Sequence, residues 1–309
     1  MEATDFDPFS NKPNISCSSR KLYTHNLTKL NGGKPLRDFK FLSKPEEVLK
    51  HLDTLKPNTR RTYLISIVSA LKDRPETKYK KLYAKFYEPL DKLNKTLKNN
   101  TEKTEKVKEN WMEQSEVDGK LGDLEKIIPS IKDKKKISPE EYSDLLKLVV
   151  LSLYTLQAPR RNKDYVDMLI VKKVPEGTAH NYLDTSKWEW VFNNYKTGKT
   201  YKQQIITIPA EIISILETYF KFHPQAKEIK KKSAGPVPFL AYSDGEPVKT
   251  STEMTRLLNR IFGKSVGCSL LRSIYLTDKY GKQTQELKQD AKDMGTSLDI
   301  AQNNYIKIE

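Results

Sequence analysis

The chain has 309 residues, enough for two domains of ordinary size, and 31% of them are charged against 37% hydrophobic, as in a polar globular protein. A formal net charge of +15, from 55 Lys and Arg against 40 Asp and Glu, favours a polyanionic partner such as nucleic acid, with a merely lysine-rich surface as the alternative. The distant pair Cys17 and Cys268 argues against a disulfide scaffold, and no apolar stretch is long enough to span a membrane. We therefore expect an intracellular protein without membrane contact.

The N-terminal part of the chain is predicted to contain a disordered leader and a small helical domain. Residues 1–17 are interpreted as the leader, and residues 18–118 as a helical domain rich in Lys, Arg and Tyr. Gly32-Gly33 is expected to end its first helix, and Pro45 occupies the first position of the next. An all-helical, basic module is thus expected before the middle of the chain.

The middle of the chain marks a change of pattern. Residues 119–136 contain two glycines, a proline and a lysine run, which is typical of a linker between domains. After them, Ser138 and Glu141 form a capping box that begins a strongly apolar helix. Residues 137–309 are therefore predicted to form the second domain.

The second domain is predicted to be mostly helical with one small sheet inserted. Two β-rich runs flank Thr197-Gly198, which indicates a hairpin. Helices are expected after Pro209 and from Thr250, where Glu253 completes a second capping pattern. The predicted fold class is mainly α with a small antiparallel β-sheet (α+β).

Arginines in two otherwise apolar segments are the first candidates for chemistry. "TLQAPRRNKDY" places Arg160 and Arg161 directly after an apolar helix, and "GCSLLRSIYLTDKYG" places Arg272 among leucines and aromatics. A half-buried guanidinium is costly unless it meets an anion. That anion is either a nearby carboxylate, for which Asp164 is the obvious candidate, or a bound ligand that both segments share.

Two further residues add reactive groups to these arginines. Lys196 lies at the predicted hairpin tip, where a mobile ammonium can act as an acid, although hairpin tips are often lysine-rich for solubility. Tyr305 lies near the end of the sequence and can serve as a phenol nucleophile or as an ordinary surface residue. Two guanidiniums, an acid and a nucleophile together suit phosphoryl transfer on a phosphodiester without a metal or any other cofactor.

These residues, in this order, resemble the sequence boxes of the tyrosine recombinase (phage integrase) family over residues 137–309. The family pattern Arg-x-x-Glu/Asp is matched by Arg161, whereas Arg160 lacks that spacing. "KPNTRRTYLISIVSAL" more loosely resembles the helical core-binding domain that precedes the catalytic domain in such enzymes. The matching segments are "RNKD" with Arg161 and Asp164, "YKTG" with Lys196, "SLLRSIYLT" with Arg272, "MGTS" at 294–297, and Tyr305 nine residues after Thr296.

The resemblance implies a helical core-binding domain, a catalytic domain, and DNA cleavage and rejoining through a 3′-phosphotyrosine at Tyr305. It implies double-stranded DNA as the partner and a homotetramer on two DNA sites, and we expect Arg60, Arg61 and Lys199 to contact DNA. The sequence around both arginine boxes is similar to that of recombinases of viruses, virophages and eukaryotic mobile elements. Such an origin implies a nuclear, viral-factory or virion location, and a cytoplasmic one otherwise.

The sequence departs from the family pattern at its histidines. Ser269 and Thr296 stand at the two histidine positions, and Ser273 replaces a third that often follows the second arginine. Hydroxyl groups can donate a hydrogen bond to phosphate, but they do not titrate near neutrality as imidazole does. We therefore expect DNA binding with impaired cleavage. The alternatives are a non-catalytic DNA-binding protein on the same scaffold and a type IB topoisomerase-like relaxer.

Overall fold

The computed structural model describes residues 6–99, 103–177, 180–231 and 235–307. The chain divides into two compact units, residues 1–102 and residues 103–309, each with its own hydrophobic core. Their boundary differs from the predicted one, because residues 103–136 belong to the second unit rather than to the first domain or to a linker. No helix in the described part of the chain combines the length and the apolar character that crossing a membrane requires.

The first unit is helical, as expected. Leu27, Leu52, Leu64 and Phe86, one from each of its four α-helices, meet in its core. Gly32 and Gly33 follow the first helix with φ of 67° and 78°, left-handed values that end a helix at little cost for glycine. The elements are α1 (Cys17–Leu30), a 3-10 turn (Lys40–Leu42), α2 (Pro45–Asp53), α3 (Pro57–Leu71) and α4 (Thr77–Asn99).

The segment before α1 is part of the first unit's core. Phe9 is fully buried, and its ring centroid lies 6.1 Å from that of Tyr23. Asp7 accepts a 2.6 Å hydrogen bond from Arg20, and the Asn11 amide donates to the Ser69 carbonyl. The prediction of a disordered leader is therefore wrong for residues 6–17, because one buried aromatic and two polar anchors hold them; residues 1–5 lie outside the described residues.

The segment predicted as a linker folds as part of the second unit's core. Three helices occupy residues 105–131, and the second begins with a capping box between Glu113 and Glu116. Val117, Leu121 and Ile131 are buried against α-helical neighbours, so residues 119–136 do not form a linker. These helices are α5 (Glu105–Asn110), α6 (Gln114–Glu125) and α7 (Ile127–Ile131).

The second unit is built around one central helix. The predicted capping box of Ser138 and Glu141 is confirmed, and the helix that it begins is buried along almost its whole length, with neighbouring helices packed around it. The helices are α8 (Pro139–Thr155), α9 (Asn162–Val166), α10 (Gly198–Tyr201), α11 (Ala210–Phe222), α12 (Ala226–Lys230), α13 (Ser251–Phe262), α14 (Cys268–Asp293) and α15 (Leu298–Ile300), followed by a π-helical turn (Ala301–Tyr305).

A five-stranded sheet lies beside this helical core. Its strands are β1 (Leu169–Val171), β2 (Tyr182–Asp184), β3 (Glu189–Phe192), β4 (Gln204–Thr207) and β5 (Val237–Pro238), in the order β4-β3-β2-β1-β5. The fold class of mainly α with a small β-sheet is confirmed. The sheet is mixed rather than purely antiparallel, because β1 and β2 pair in parallel across a crossover connection. The predicted hairpin is present as the antiparallel pair of β3 and β4. Its connection, residues 193–203, contains α10 instead of a tight turn.

Candidate active site

An open cavity of about 290 Å³ in the second unit brings together three of the segments that the sequence singled out. Its wall combines the connection between α8 and α9, the β3–β4 connection, the first residues of β4 and the second turn of α14. Three arginines, Arg160, Arg161 and Arg272, lie on this wall with a single carboxylate, Asp164. Three guanidiniums against one carboxylate leave an excess of positive charge that suits an anionic ligand.

Arg161 is placed on this wall by the start of α9. Its backbone is extended, with φ −79° and ψ 148°, and its carbonyl accepts a 2.9 Å hydrogen bond from the Asp164 amide in the first turn of the helix. The side chain is half-buried. Within the described residues its guanidinium has no hydrogen-bond or ion-pair partner, so it is available to a ligand.

Arg272 reaches the same cavity from α14. Leu271 and Ile274 on either side of it are buried against the core, because α14 packs on α6 and α8. Arg272 itself is half-buried, and, like Arg161, it has no protein partner in the described parts of the chain. The arginine among apolar residues is therefore explained: one face of the helix packs on the core while this side chain lines a cavity.

Arg160 is held by the protein. Its Nε donates to Asp164 Oδ2 at 3.0 Å and its Nη1 donates to Gln204 Oε1 at 2.9 Å. The guanidinium also lies 3.7 Å from the ring centroid of Phe192 and 5.0 Å from that of Tyr195. The family pattern groups Arg161 with Asp164 in one sequence box, whereas the ion pair with Asp164 is formed by Arg160.

Asp164 is the buried counter-charge of the site. Burial raises the pKa of Asp164 above its ordinary value, against the opposing effect of the Arg160 and Arg161 charges. Its Oδ1 is buried without a hydrogen-bond partner among the described residues. One carboxylate oxygen is thus satisfied by Arg160, and the charge of Arg161 stabilises the ionised form from a distance.

Lys196 lies beside the cavity rather than on its wall. It is exposed in the β3–β4 connection, between Tyr195 and Thr197, which both line the cavity. The connection is closely packed at its base, because a Cβ atom at Gly198 would lie only 3.2 Å from the Asn193 carbonyl oxygen. Lys196 therefore extends from a closely packed connection, between two residues of the cavity wall.

Ser269, Thr296 and Tyr305 are not on the wall of the arginine cavity. Ser269 is exposed one helical turn before Arg272. Thr296 is half-buried at a different cavity, beside Lys292 near the end of α14. Tyr305 is 61% exposed at the end of the π-helical turn.

The structure thus brings together Arg161, Arg272 and Asp164 and places Lys196 next to them. The three hydroxyl-bearing candidates, at 269, 296 and 305, are not on the wall of this cavity.

The predicted DNA-contacting residues have different environments. In the first unit, Arg60 is ion-paired with Asp53 at 2.6 Å, whereas its neighbour Arg61 is exposed and donates to Asn94. In the second unit, Lys199 is exposed in α10. Arg61 and Lys199 are therefore accessible to a phosphate, and a phosphate contact by Arg60 would have to displace Asp53.

Two residues shape the site without a role assigned from the sequence: Arg160, which lacks the family spacing, and Gln204, which the sequence did not single out. The available signal for Arg160 was its spacing of four from Asp164 across a helix start, where an ion pair is common. Gln204 had no such signal, since its role depends on the strand pairing. In the described residues, no cluster of three or more His, Cys, Asp or Glu side chains could hold a metal ion.

Comparison with known proteins adds no relative. No protein-family model, no curated protein and no solved structure matches this chain.

Proposed function

We propose that the protein is a tyrosine recombinase, an integrase-like enzyme that cuts and rejoins DNA through a 3′-phosphotyrosine at Tyr305. The observation that carries this proposal is that Arg161 and Arg272, far apart in the sequence, line one cavity without a protein partner among the described residues. Two forked guanidiniums on one site suit the two non-bridging oxygens of a phosphodiester, where charge builds in the transition state.

The remaining residues supply the other parts of the reaction. The Tyr305 oxygen attacks phosphorus, the bond from phosphorus to the 5′ oxygen breaks, and the Lys196 ammonium gives its proton to that oxygen. Tyr305 is not at the cavity, so cleavage requires movement of the C-terminal segment that carries it. DNA bound across the second unit is the natural cause of such a movement.

Cleavage is expected to be slow. The phenolic proton of Tyr305 has no imidazole to accept it, because Ser269 and Thr296 occupy the histidine positions. The loss of one positioned acid–base group commonly costs about 10²–10⁴-fold in rate. Solvent or a DNA oxygen is left as the acceptor, which permits turnover at a reduced rate.

The partners follow from charge and from the resemblance. A net charge of +15 favours double-stranded DNA, with phosphate contacts supplying most of the affinity. As the resemblance implies, recombination takes place in a homotetramer on two DNA sites. Its location is the nucleus, the viral factory or the virion if the protein derives from a virus of eukaryotes, and the cytoplasm otherwise.

A second candidate function is a DNA-binding protein that no longer cleaves. The observation that favours it is that Ser269, Thr296 and Tyr305 all lie off the arginine cavity, while the two arginines that bind phosphate remain on it. On this alternative, the cavity anchors a DNA phosphate and the tyrosine has no partner.

A nicked suicide substrate distinguishes the two functions. The protein is incubated with a pool of duplexes of randomised sequence, each nicked so that cleavage releases a short strand and traps the covalent adduct. We expect an adduct with the natural chain and none with Tyr305→Phe. The control Tyr280→Phe alters a different exposed tyrosine, which lies in α14, and should still give the adduct. If all three proteins bind DNA and none forms an adduct, the result supports the second candidate, a DNA-binding protein that does not cleave. In a separate assay on supercoiled plasmid, relaxation without joined products would indicate a topoisomerase.

A further inference from the structure

We propose that Arg160 is a positioning residue that fixes the β3–β4 connection, and with it Lys196, against the turn that presents Arg161. The role of Lys196 in this statement rests on the proposed function. The holding of the connection rests on contacts alone, since Arg160 bonds to Asp164 at the start of α9 and to Gln204 at the start of β4.

Arg160 is unsuited to bind the substrate phosphate itself. Two of its donors are engaged by Asp164 and Gln204, and the Phe192 ring covers one face of its guanidinium at 3.7 Å. Its side chain is only 17% exposed. A move toward a phosphate would leave the buried carboxylate of Asp164 without its partner, which is strongly unfavourable. Arg160 therefore stays in place while Arg161 and Arg272 meet the ligand.

The contacts of Arg160 fall at the point where the connection leaves the sheet. Phe192 and Gln204 are paired in the β3–β4 register and are the last pair before residues 193–203. The guanidinium covers the ring of the first and bonds to the side chain of the second. It thereby joins the two ends of the connection to each other and to α9.

The connection contains backbone strain that must be held by its surroundings. Lys202 has φ 59° and ψ −156°, a backbone conformation that residues other than glycine rarely adopt. The Tyr195 hydroxyl donates to the Lys202 carbonyl at 2.7 Å, and the Tyr195 ring lies 5.0 Å from the Arg160 guanidinium. Arg160 thus supports a side chain that holds the strained residue, which lies six positions after Lys196.

Hydrogen exchange in the absence of DNA tests the holding role on the full chain. In Arg160→Gln, the protected amides of the connection should exchange about tenfold faster, because two charge-assisted contacts are lost. Gln204→Leu should act in the same direction with a smaller effect. The control Arg161→Gln removes the same charge from the same cavity and should leave these rates unchanged. The amides are those of Asn193, Asn194, Gly198, Thr200, Tyr201 and Lys202.

Two results of that experiment would overturn the proposal. Rates in the connection equal to those of the natural chain would show that Arg160 does not hold it. An equal acceleration in α8, at the centre of the second unit, would show that Arg160 stabilises the unit as a whole instead.

A substrate with sulfur in place of the bridging 5′ oxygen tests the link to Lys196. A thiolate leaves without protonation, so this substrate does not need the lysine proton. It should restore cleavage in Arg160→Gln and in Lys196→Ala by a similar factor, and should not restore it in Arg161→Gln. Failure to rescue Arg160→Gln would overturn the positioning of Lys196. If the natural chain cleaves neither substrate, the proposed function fails, while the exchange rates still decide whether Arg160 holds the connection.

Discussion

Arg160 and Asp164 form an ion pair across the start of α9, with Nε 3.0 Å from Oδ2 and the two side chains 17% and 3% exposed. This pair leaves the neighbouring Arg161 without a carboxylate in the described residues, so the two adjacent arginines have different tasks. Arg160 is bonded to the protein, and Arg161 is left to face the cavity. The same division explains why the cavity keeps a positive excess although its carboxylate is buried among arginines.

Loss of either free arginine should affect cleavage more than DNA affinity. Arg161→Ala and Arg272→Ala should each lower the single-turnover rate of adduct formation by about 10²–10³-fold, because each removes a donor to the transition-state charge. DNA affinity should change little, since many phosphate contacts share it. The control Arg256→Ala removes an exposed arginine of α13 that is not on the cavity wall. Equal losses of affinity and rate would indicate that both arginines only bind DNA.

Restoring one histidine should raise the cleavage rate. Ser269 is exposed one turn before Arg272, so Ser269→His can place an imidazole near the phosphate without disturbing the core. We expect an increase of about tenfold or more and a new pH dependence near 6.5, the ordinary pKa of imidazole. The rate–pH profile of adduct formation measures both. A lower rate than in the natural chain would instead show that the serine belongs to a working variant of the site.

Local sequence signals predicted the elements that depend on local rules. The capping box of Ser138 and Glu141 and the cap of Thr250 are present because they need only residues three positions apart. The β3–β4 hairpin likewise follows from two β-rich runs around Thr197-Gly198. These features could be predicted because their partners are neighbours in the chain.

Features that depend on distant partners could not be predicted in this way. Val117 and Leu121 stand among charged residues, and packing of α6 against α8 and α14, which follow later in the chain, makes them core residues. The parallel pairing of β1 with β2 has no local signature. For the site, the family boxes predicted that Arg161 and Arg272 share a function, and they share a cavity. Asp164 was named as the carboxylate that could pair with the two arginines, but a spacing pattern does not show which of two adjacent arginines turns inward, and it is Arg160 that does.

The buried leader residue Phe9 should be important for the first unit. Phe9→Ala should lower the free energy of unfolding of this unit by about 3–5 kcal/mol, since it leaves a cavity in the core. Hydrogen exchange of the α1 and α3 amides measures the loss. The control Leu22→Ala, at a position of α1 that is 47% exposed, should cost about 0.5 kcal/mol or less. A similarly small effect for Phe9→Ala would restore the view of this segment as a dispensable leader.

The buried histidine His223 should make the second unit sensitive to acid. Burial lowers the pKa of His223 to about 4, from an ordinary value of 6.5. The unfolded chain therefore takes up a proton between pH 6.5 and 4 that the folded unit does not, and stability falls as the pH falls through this window, by about 3 kcal/mol in all. Urea titrations followed by tryptophan fluorescence report on this unit, because all 3 tryptophans lie within it.

The variant His223→Asn isolates the contribution of this histidine. Its side-chain oxygen can still accept the 3.1 Å hydrogen bond that the Gln225 amide donates to Nδ1 of His223, but it cannot be protonated. We expect a lower stability at pH 7, because the smaller side chain leaves a void beside the Tyr219 ring, and a flatter stability profile between pH 6.5 and 4. The control His25→Asn, in the first unit, should keep the slope of the natural chain. A slope that persists in His223→Asn would assign the acid sensitivity to other groups of the second unit.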